Sequence, residues 1–224
     1  MEKQAILSTI KKLRETTPKK KFSQTFDLTV IFQNLDIKKA ENKIDIFHIL
    51  PNSKGKKPKV CALVDKELES QTKKLFDHTI TKEEFANFGK DKKAVKKLAS
   101  QYDYFIAQGN IMQYIAKAFG KVFGPKGKMP NPKAGCVVPP TADLTPLSKK
   151  LNTLVRLVIK NKEIAVKAPV GSESMKDEEV TENILSIYDS LIRALPQGKE
   201  NIKKALLKFT MGPSFTIGAK NDKA

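Results

Sequence analysis

The segment 60–76 reads VCALVDKELESQTKKLF. Its opening run, VCALVD, is almost entirely apolar, which is typical of a strand covered on both faces, and the remainder has helical spacing. Downstream, YDYFIAQ (102–108) predicts a second buried strand between helical segments at 90–100 and 110–124, the latter capped by Asn110. Alternating buried strands and helices predict a small layered α/β unit in the middle of the chain.

The N-terminal part has a different pattern. Residues 2–15 have helical spacing, while FSQTFDLTVIFQNLD (22–36) and NKIDIFHIL (42–50) alternate apolar and polar residues. We expect two strands here, paired as a hairpin or through a short connection around 36–42. The stretch that follows, PNSKGKKPK (51–59), holds two prolines, a glycine and four lysines, which is typical of a linker.

The C-terminal part adds strands and a long helix. The predicted elements are a helix at 144–154, strands at 155–161 and 163–170 across a turn at 161–162, and a helix at 176–195 with an acidic first turn. A last strand, 205–218, is interrupted at Gly212 and Pro213. Both ends of the chain therefore suit one mixed α+β domain (1–57 with 151–224), and the middle (58–150) suits an inserted second domain.

The composition is strongly basic. Lys and Arg number 42 against 24 acidic residues, which gives a net charge of +18. This excess is more than solubility requires and indicates a polyanionic partner. Only three of the basic residues are arginines, so we expect attraction mainly from lysine to phosphate, with selectivity from another source.

Several other classes of function find little support. No apolar run is long enough to span a membrane, and the N-terminus lacks the apolar core of a signal peptide, so we expect a cytoplasmic protein without a membrane partner. Cys61, Cys136, His48 and His78 stand apart in the sequence. We therefore expect neither a metal site nor a cofactor.

The stretch GPKGKMPNPKAG (124–135) concentrates lysine, proline and glycine. A nucleotide-using enzyme could place a phosphate-binding loop at Gly124 to Lys128, but the spacing differs from that of a Walker loop and a helix precedes it. No recognisable catalytic set accompanies it, so we do not expect an enzyme. The stretch could display Lys126, Lys128 and Lys133 on a stiff support or simply route the chain tightly, and composition leaves both interpretations open.

Four stretches of the sequence are distinctive, namely FGPKGKMPNPKAG (123–135), TFDLTV (25–30), APVG (168–171) and FTMGPSFTI (209–217). They resemble motifs of the L-one family of large-subunit ribosomal proteins, and the compact length and lysine richness of the chain look like the archaeal and eukaryotic branch of that family. The motifs occur in the family's order and span most of the chain. Phe123 stands where leucine is usual, and Thr25 stands where bacterial members often carry lysine.

The resemblance implies a two-domain protein. Domain one would be a split-βαβ α+β unit built from both termini, and domain two an inserted three-layer, Rossmann-like α/β unit joined by two hinge strands. The implied role is structural: the protein would bind large-subunit rRNA, form the mobile stalk beside the tRNA exit site, repress its own mRNA and be monomeric when free. The residues themselves leave two alternatives, a nucleotide-using enzyme and a nonspecific basic nucleic-acid-binding protein.

The resemblance also implies RNA-binding residues on domain one. They are Phe26, Thr29, Thr210, Met211, Gly212 and Ser214. The glycine would let the backbone approach a ribose, the hydroxyls would exchange hydrogen bonds with 2′-hydroxyl groups, and Phe26 and Met211 would supply apolar surface. Lys126, Lys128 and Lys133 would form a secondary contact with RNA or with exit-site tRNA.

Overall fold

The computed structural model describes residues 2–36, 42–159 and 163–218, the side chain of Lys90 excepted. The chain divides into two compact units, one made of Met1–Lys56 with Thr153–Ala224 and the other of Lys57–Asn152. The first unit unites both ends of the chain, and the second is an insertion. Whether the units fold separately, as the predicted domains would, stays a prediction.

The described residues form seven α-helices and ten strands. The helices are α1 (Lys3–Thr16), α2 (Lys66–Leu75), α3 (Phe85–Lys90), α4 (Lys92–Gln101), α5 (Met112–Lys126), α6 (Thr145–Thr153) and α7 (Asp177–Ala194). The strands are β1 (Thr25–Phe32), β2 (Asp45–Ile49), β3 (Val60–Val64), β4 (His78–Thr81), β5 (Tyr104–Gln108), β6 (Val137–Val138), β7 (Leu154–Val158), β8 (Ala165–Ser172), β9 (Ile202–Phe209) and β10 (Ser214–Thr216).

The first unit is built around strand β1. Its sheet has the order β10-β9-β1-β8, and β1 is antiparallel to both of its neighbours. Because α7 connects β8 to β9, which flank β1, the arrangement is a split βαβ unit, as predicted. Alternate residues of β1 are buried against α1 and α7, namely Phe26, Leu28, Val30 and Phe32.

The predicted pairing of the first two strands is wrong. β1 pairs with β8 and β9, whereas β2 pairs with β7 in a separate two-stranded sheet. Alternation marks the buried face of a strand, but it does not identify the partner, and here the partners come from the far end of the chain. The connection at 37–41 and the turn predicted at 161–162 lie outside the described residues.

The last predicted strand is in fact a hairpin. β9 ends at Phe209, and the chain reverses through Thr210–Pro213 so that Ser214 lies opposite Lys208. The N–H of Gly212 donates to the carbonyl of Phe209 at 3.0 Å, and the proline that follows has no N–H to continue a ladder. The interruption in the sequence is therefore a turn between β9 and β10.

The inserted unit is a parallel sheet in the order β4-β3-β5-β6. Leu63 and Phe105 face one side, where they pack with residues of α4 and α5. Ala62 and Ile106, on the opposite side, are also fully buried. Helices thus accompany a sheet that is covered on both faces, which confirms the predicted α/β class for this part of the chain.

Some details of the inserted unit differ from expectation. Asn110 does not cap α5, because a short 3₁₀ turn at Gly109–Ile111 precedes the helix, which begins at Met112. Strands β4 and β6 and helix α3 were not predicted. They contain four, two and six residues, too few to produce a clear periodic pattern.

A substitution at Gly55 tests how closely the chain packs against the end of β8 in the first unit. Its φ is +81°, and a Cβ built there would lie 2.2 Å from the Cβ of Ser172, at the end of β8. We expect Gly55→Ala to lower the free energy of unfolding by about 3 kcal/mol, because a left-handed φ costs roughly 1–2 kcal/mol and overpacking roughly 1–3 kcal/mol. Urea titration measures this difference.

Gly198→Ala is the matched control. Gly198 has φ +57°, but its added Cβ would lie at an ordinary 3.6 Å from the Cγ2 of Ile192. Only the conformational cost, about 1–2 kcal/mol, should remain. Equal losses of stability in the two variants would contradict the steric account of Gly55.

Candidate nucleic-acid interface

One face of the four-stranded sheet is turned away from α1 and α7. Residues opposite each other on antiparallel strands share a face, so the register defines rows of outward side chains. One row is Thr216, Leu206, Thr29 and Lys167, and the next is Ser214, Lys208, Asp27 and Pro169. We call these residues the open face. None of them is buried, whereas most of the residues that alternate with them on β1, β8 and β9 are buried.

The open face combines hydroxyl groups, lysines and a single carboxylate. Lys167 forms an exposed ion pair with Glu163 at 2.8 Å, and Lys208 lies directly opposite Asp27. Partial burial raises the pKa of Asp27, while the charge of Lys208 and a hydrogen bond with the Thr210 side chain lower it. The net direction is upward, so the ionised carboxylate is less favourable here than in water.

The turn Thr210–Pro213 stands at the end of the open face. The N–H of Thr210 donates to the carbonyl of Thr25 at 3.1 Å, and the N–H of Thr25 donates to Oγ1 of Thr210 at 3.4 Å. These bonds tie the turn to the start of β1. The side chain of Met211 is 66% exposed, more than that of any other large apolar residue in the part of the chain that the structure describes.

Close packing favours glycine at position 212. A Cβ there would lie 3.1 Å from both the Cβ of Phe209 and Oγ1 of Thr17, which is tighter than most real contacts, so these neighbours would have to shift. The absent side chain therefore lets the turn pack closely on the end of α1.

The structure brings five of the six predicted RNA-binding residues to one connected surface. They are Thr29, Thr210, Met211, Gly212 and Ser214. Phe26 is the exception. We expected its ring to contact RNA directly, but its side chain is 0% exposed and its ring lies 4.4 Å from that of Phe209. It points to the core side of β1, so it supports the surface from beneath. The use of this surface for RNA stays a prediction.

Sequence reasoning missed the lysines of β9. Lys208 belongs to the open face, and Lys204 lies opposite Ile31 in the adjoining row. Both occur in KKALLKF, where Lys204, Leu206 and Lys208 alternate with the buried Ala205 and Leu207. That period of two was the signal that could have placed these lysines on the face opposite the helices.

The stretch 124–135 begins inside a helix. α5 continues to Lys126, and Gly127 ends it at φ +64° with its N–H donating to the carbonyl of Gly124 at 2.9 Å. Phosphate-binding loops use the N–H groups of a helix N-terminus, whereas this is a carbonyl end, whose partial negative charge disfavours phosphate. The geometry contradicts a phosphate-binding loop at Gly124 to Lys128.

The three lysines of this stretch have different surroundings. The Nζ of Lys126 donates to Oγ of Ser100 at 2.8 Å, and the Nζ of Lys128 donates to the carbonyl of Tyr102. Both lysines therefore help to fasten the end of α5 to the end of α4. Lys133 is exposed on the following turn. Their secondary contact with RNA or tRNA stays a prediction.

The two cysteines are buried free thiols. Burial raises the pKa of both Cys61 and Cys136, the latter to about 11, so neither is a thiolate nucleophile at neutral pH. Within 2–36, 42–159 and 163–218, no cluster of His, Cys, Asp and Glu is placed to hold a metal ion. Over the same residues, no helix has both the length and the apolar character needed to cross a bilayer.

The chain matches a known protein family over most of its length. The family model is that of the ribosomal protein L1p/L10e family, and it matches residues 12–213. The "Large ribosomal subunit protein uL1" of Methanothermococcus thermolithotrophicus is 36% identical over 217 residues, which cover 97% of this chain and 99% of the relative.

Two further relatives with the same name agree. The protein of Methanothermobacter thermautotrophicus is 37% identical and that of Nanoarchaeum equitans 38%, and the matches cover 96% and 93% of this chain and 99% and 97% of the relatives. These relatives are archaeal, as the compact length and lysine richness of the chain indicated. The members of this family are structural, non-enzymatic ribosomal proteins, which rules out the alternative of a nucleotide-using enzyme. The chain belongs to the ribosomal protein L1p/L10e family.

Proposed function

We propose that this structural constituent of the ribosome binds large-subunit rRNA through the open face and the turn Thr210–Pro213. The observation that carries the proposal is the exposed side chain of Met211, held beside hydroxyls and lysines on a turn that packs tightly at Gly212. An exposed apolar group in such a fixed position has no stabilising role in the free protein. Against a ribose or a base it would become buried.

The chemistry of the surface favours RNA over a generic polyanion. The hydroxyls of Thr29, Ser214 and Thr216 can exchange hydrogen bonds with ribose 2′-hydroxyl groups, which DNA lacks. Lys204 and Lys208 can contact phosphates without reading bases. Recognition would therefore depend mainly on the shape and backbone of a folded RNA, which suits a chain with only three arginines.

We infer several finer roles from the family resemblance. The protein would form the mobile stalk beside the tRNA exit site on cytoplasmic ribosomes, and the two chain crossings between its compact units would serve as the hinge. Lys126, Lys128 and Lys133 of the inserted unit would face rRNA or exit-site tRNA. A messenger RNA with the same folded shape would meet the same contacts on the open face, which supports repression of the protein's own mRNA. The free protein would be a monomer.

Nonspecific binding to nucleic acid is the competing function, because the net charge of +18 attracts any polyanion. Crosslinking the protein to RNA in cell lysate, followed by sequencing of the recovered RNA, separates the two functions. We expect one folded segment of large-subunit rRNA to dominate. Recovery of all cellular RNAs in proportion to their abundance would favour nonspecific binding.

Thr210→Ala and Met211→Ala test the turn. Each variant should weaken binding to a large-subunit rRNA transcript by about 1 kcal/mol or more, roughly fivefold, because each removes one hydrogen bond or one buried apolar contact. Affinity is measured at fixed salt by filter binding. Ile49→Ala is the control, since Ile49 is a large apolar residue that is also exposed but lies on β2. Unchanged affinity for both turn variants would remove the turn from the site.

A pair of lysine substitutions, one on the open face and one in the adjoining row, tests this side of the sheet electrostatically. The double variant Lys204→Gln and Lys208→Gln should weaken rRNA binding and reduce the slope of log K against log salt by about 0.7–0.9 for each phosphate that these lysines neutralise. The matched control, Lys92→Gln with Lys93→Gln, removes the same charge from exposed positions on α4. Equal slopes for the two double variants would show that total charge, and not this face, determines binding.

A further inference from the structure

We propose that Gln24 is a positioning residue for the RNA-binding turn, holding the backbone of Met211 so that its side chain projects toward the RNA. This inference rests on the proposed function of the turn. Gln24 lies just before β1 and is 1% exposed. It does not belong to the motifs that identified the RNA-binding residues.

The contact between Gln24 and the turn is direct. The N–H of Met211 donates to Oε1 of Gln24 at 3.3 Å. Only the carbonyl oxygen of the amide can accept from an N–H, so this contact fixes the orientation of the side chain. Within the described residues, the buried Nε2 of Gln24 has no hydrogen-bond partner. One end of the amide therefore holds the turn while the other end is unsatisfied.

The backbone of Gln24 is itself held firmly. Its N–H donates to Oε2 of Glu173 at 3.1 Å, and its carbonyl accepts from the N–H of Glu173 at 2.8 Å. Arg14 of α1 donates to the carbonyl of Glu173 at 2.7 Å and to Oδ1 of Asp177 at 2.9 Å. Residue 24 is thus held in place by α1 and by the loop before α7. Because its backbone is fixed, the Gln24 side-chain amide can hold the Met211 N–H in a fixed position.

Thr17 completes the support beneath the turn. It follows α1, is 7% exposed, and its Oγ1 lies where a Cβ on residue 212 would contact it at 3.1 Å. Its hydroxyl also lacks a partner among the described residues. Thr17 therefore supports the turn by shape alone, whereas Gln24 supports it by a hydrogen bond. This difference provides a matched control.

The unsatisfied Nε2 is an argument for a positioning role. A buried amide donor without a partner destabilises a protein, and an apolar side chain of the same shape would avoid that cost. Methionine has nearly the length and volume of glutamine and would fill the same space. The unsatisfied Nε2 offsets part of the stability that the bond to Met211 contributes, so the effect left for Gln24 is to hold the Met211 N–H in place.

The test uses the full chain with Gln24→Met, alone and combined with Met211→Ala. We expect Gln24→Met to weaken binding to a large-subunit rRNA transcript three- to tenfold, with an unchanged salt slope and no loss of thermal stability. Met211→Ala should then cost much less in the Gln24→Met background than in the wild type, because the side chain it removes is no longer positioned. Thr17→Val is the control. It keeps the shape of the side chain, which is how Thr17 supports the turn, so the affinity should be unchanged.

A measurement without RNA separates this inference from the proposed function. The amide proton of Met211 should exchange faster with solvent in free Gln24→Met than in the free wild type. If Met211→Ala weakens binding while Gln24→Met does not, or if the two effects simply add, the positioning role is wrong and the turn remains the site. If neither variant changes the affinity although exchange at Met211 accelerates, the proposed RNA surface is wrong and the inference falls with it.

Discussion

Strand β1 is hydrogen-bonded on both edges and packed by two helices on one face, so its alternate side chains are forced to opposite sides. Phe26, Leu28, Val30 and Phe32 enter the core with α1 and α7. Asp27 and Thr29 must then lie on the opposite face, beside the outward residues of β8 and β9. The alternation of side chains along β1 therefore produces both the core on one face of the sheet and the candidate interface on the other.

The sequence predicted what depends on local pattern, and it missed what depends on distant partners. The long helices and the alternating strands carry their own periodicity, so both domain classes could be inferred. The pairing of β1 could not be, because its neighbours β8 and β9 follow an insertion of about a hundred residues. The same limit hid the contact between Gln24 and Met211, which joins residues that are far apart in the chain.

The resemblance to a family indicated a candidate site but not the role of each residue. It assigned Phe26 to the RNA-binding surface, although Phe26 shares the buried face of β1 with Leu28 and Val30, so the alternation in the sequence already places its ring in the core. It also marked 124–135, where the structure shows the carbonyl end of α5 and lysines that bond within the unit. A motif can identify a family through residues whose main physical role is packing, so direction and burial must decide which of them contact a ligand.

Hydroxyl-radical footprinting of the protein, free and bound to a large-subunit rRNA transcript, tests the central claim most directly. Methionine is readily oxidised, and Met211 is the most exposed large apolar side chain in the described part of the chain. Binding should suppress oxidation of Met211 several-fold and leave Met112, the first residue of α5 in the inserted unit, unchanged. Oxidation of Met211 at its free rate in a saturated complex would contradict the assignment of the turn and the open face to RNA.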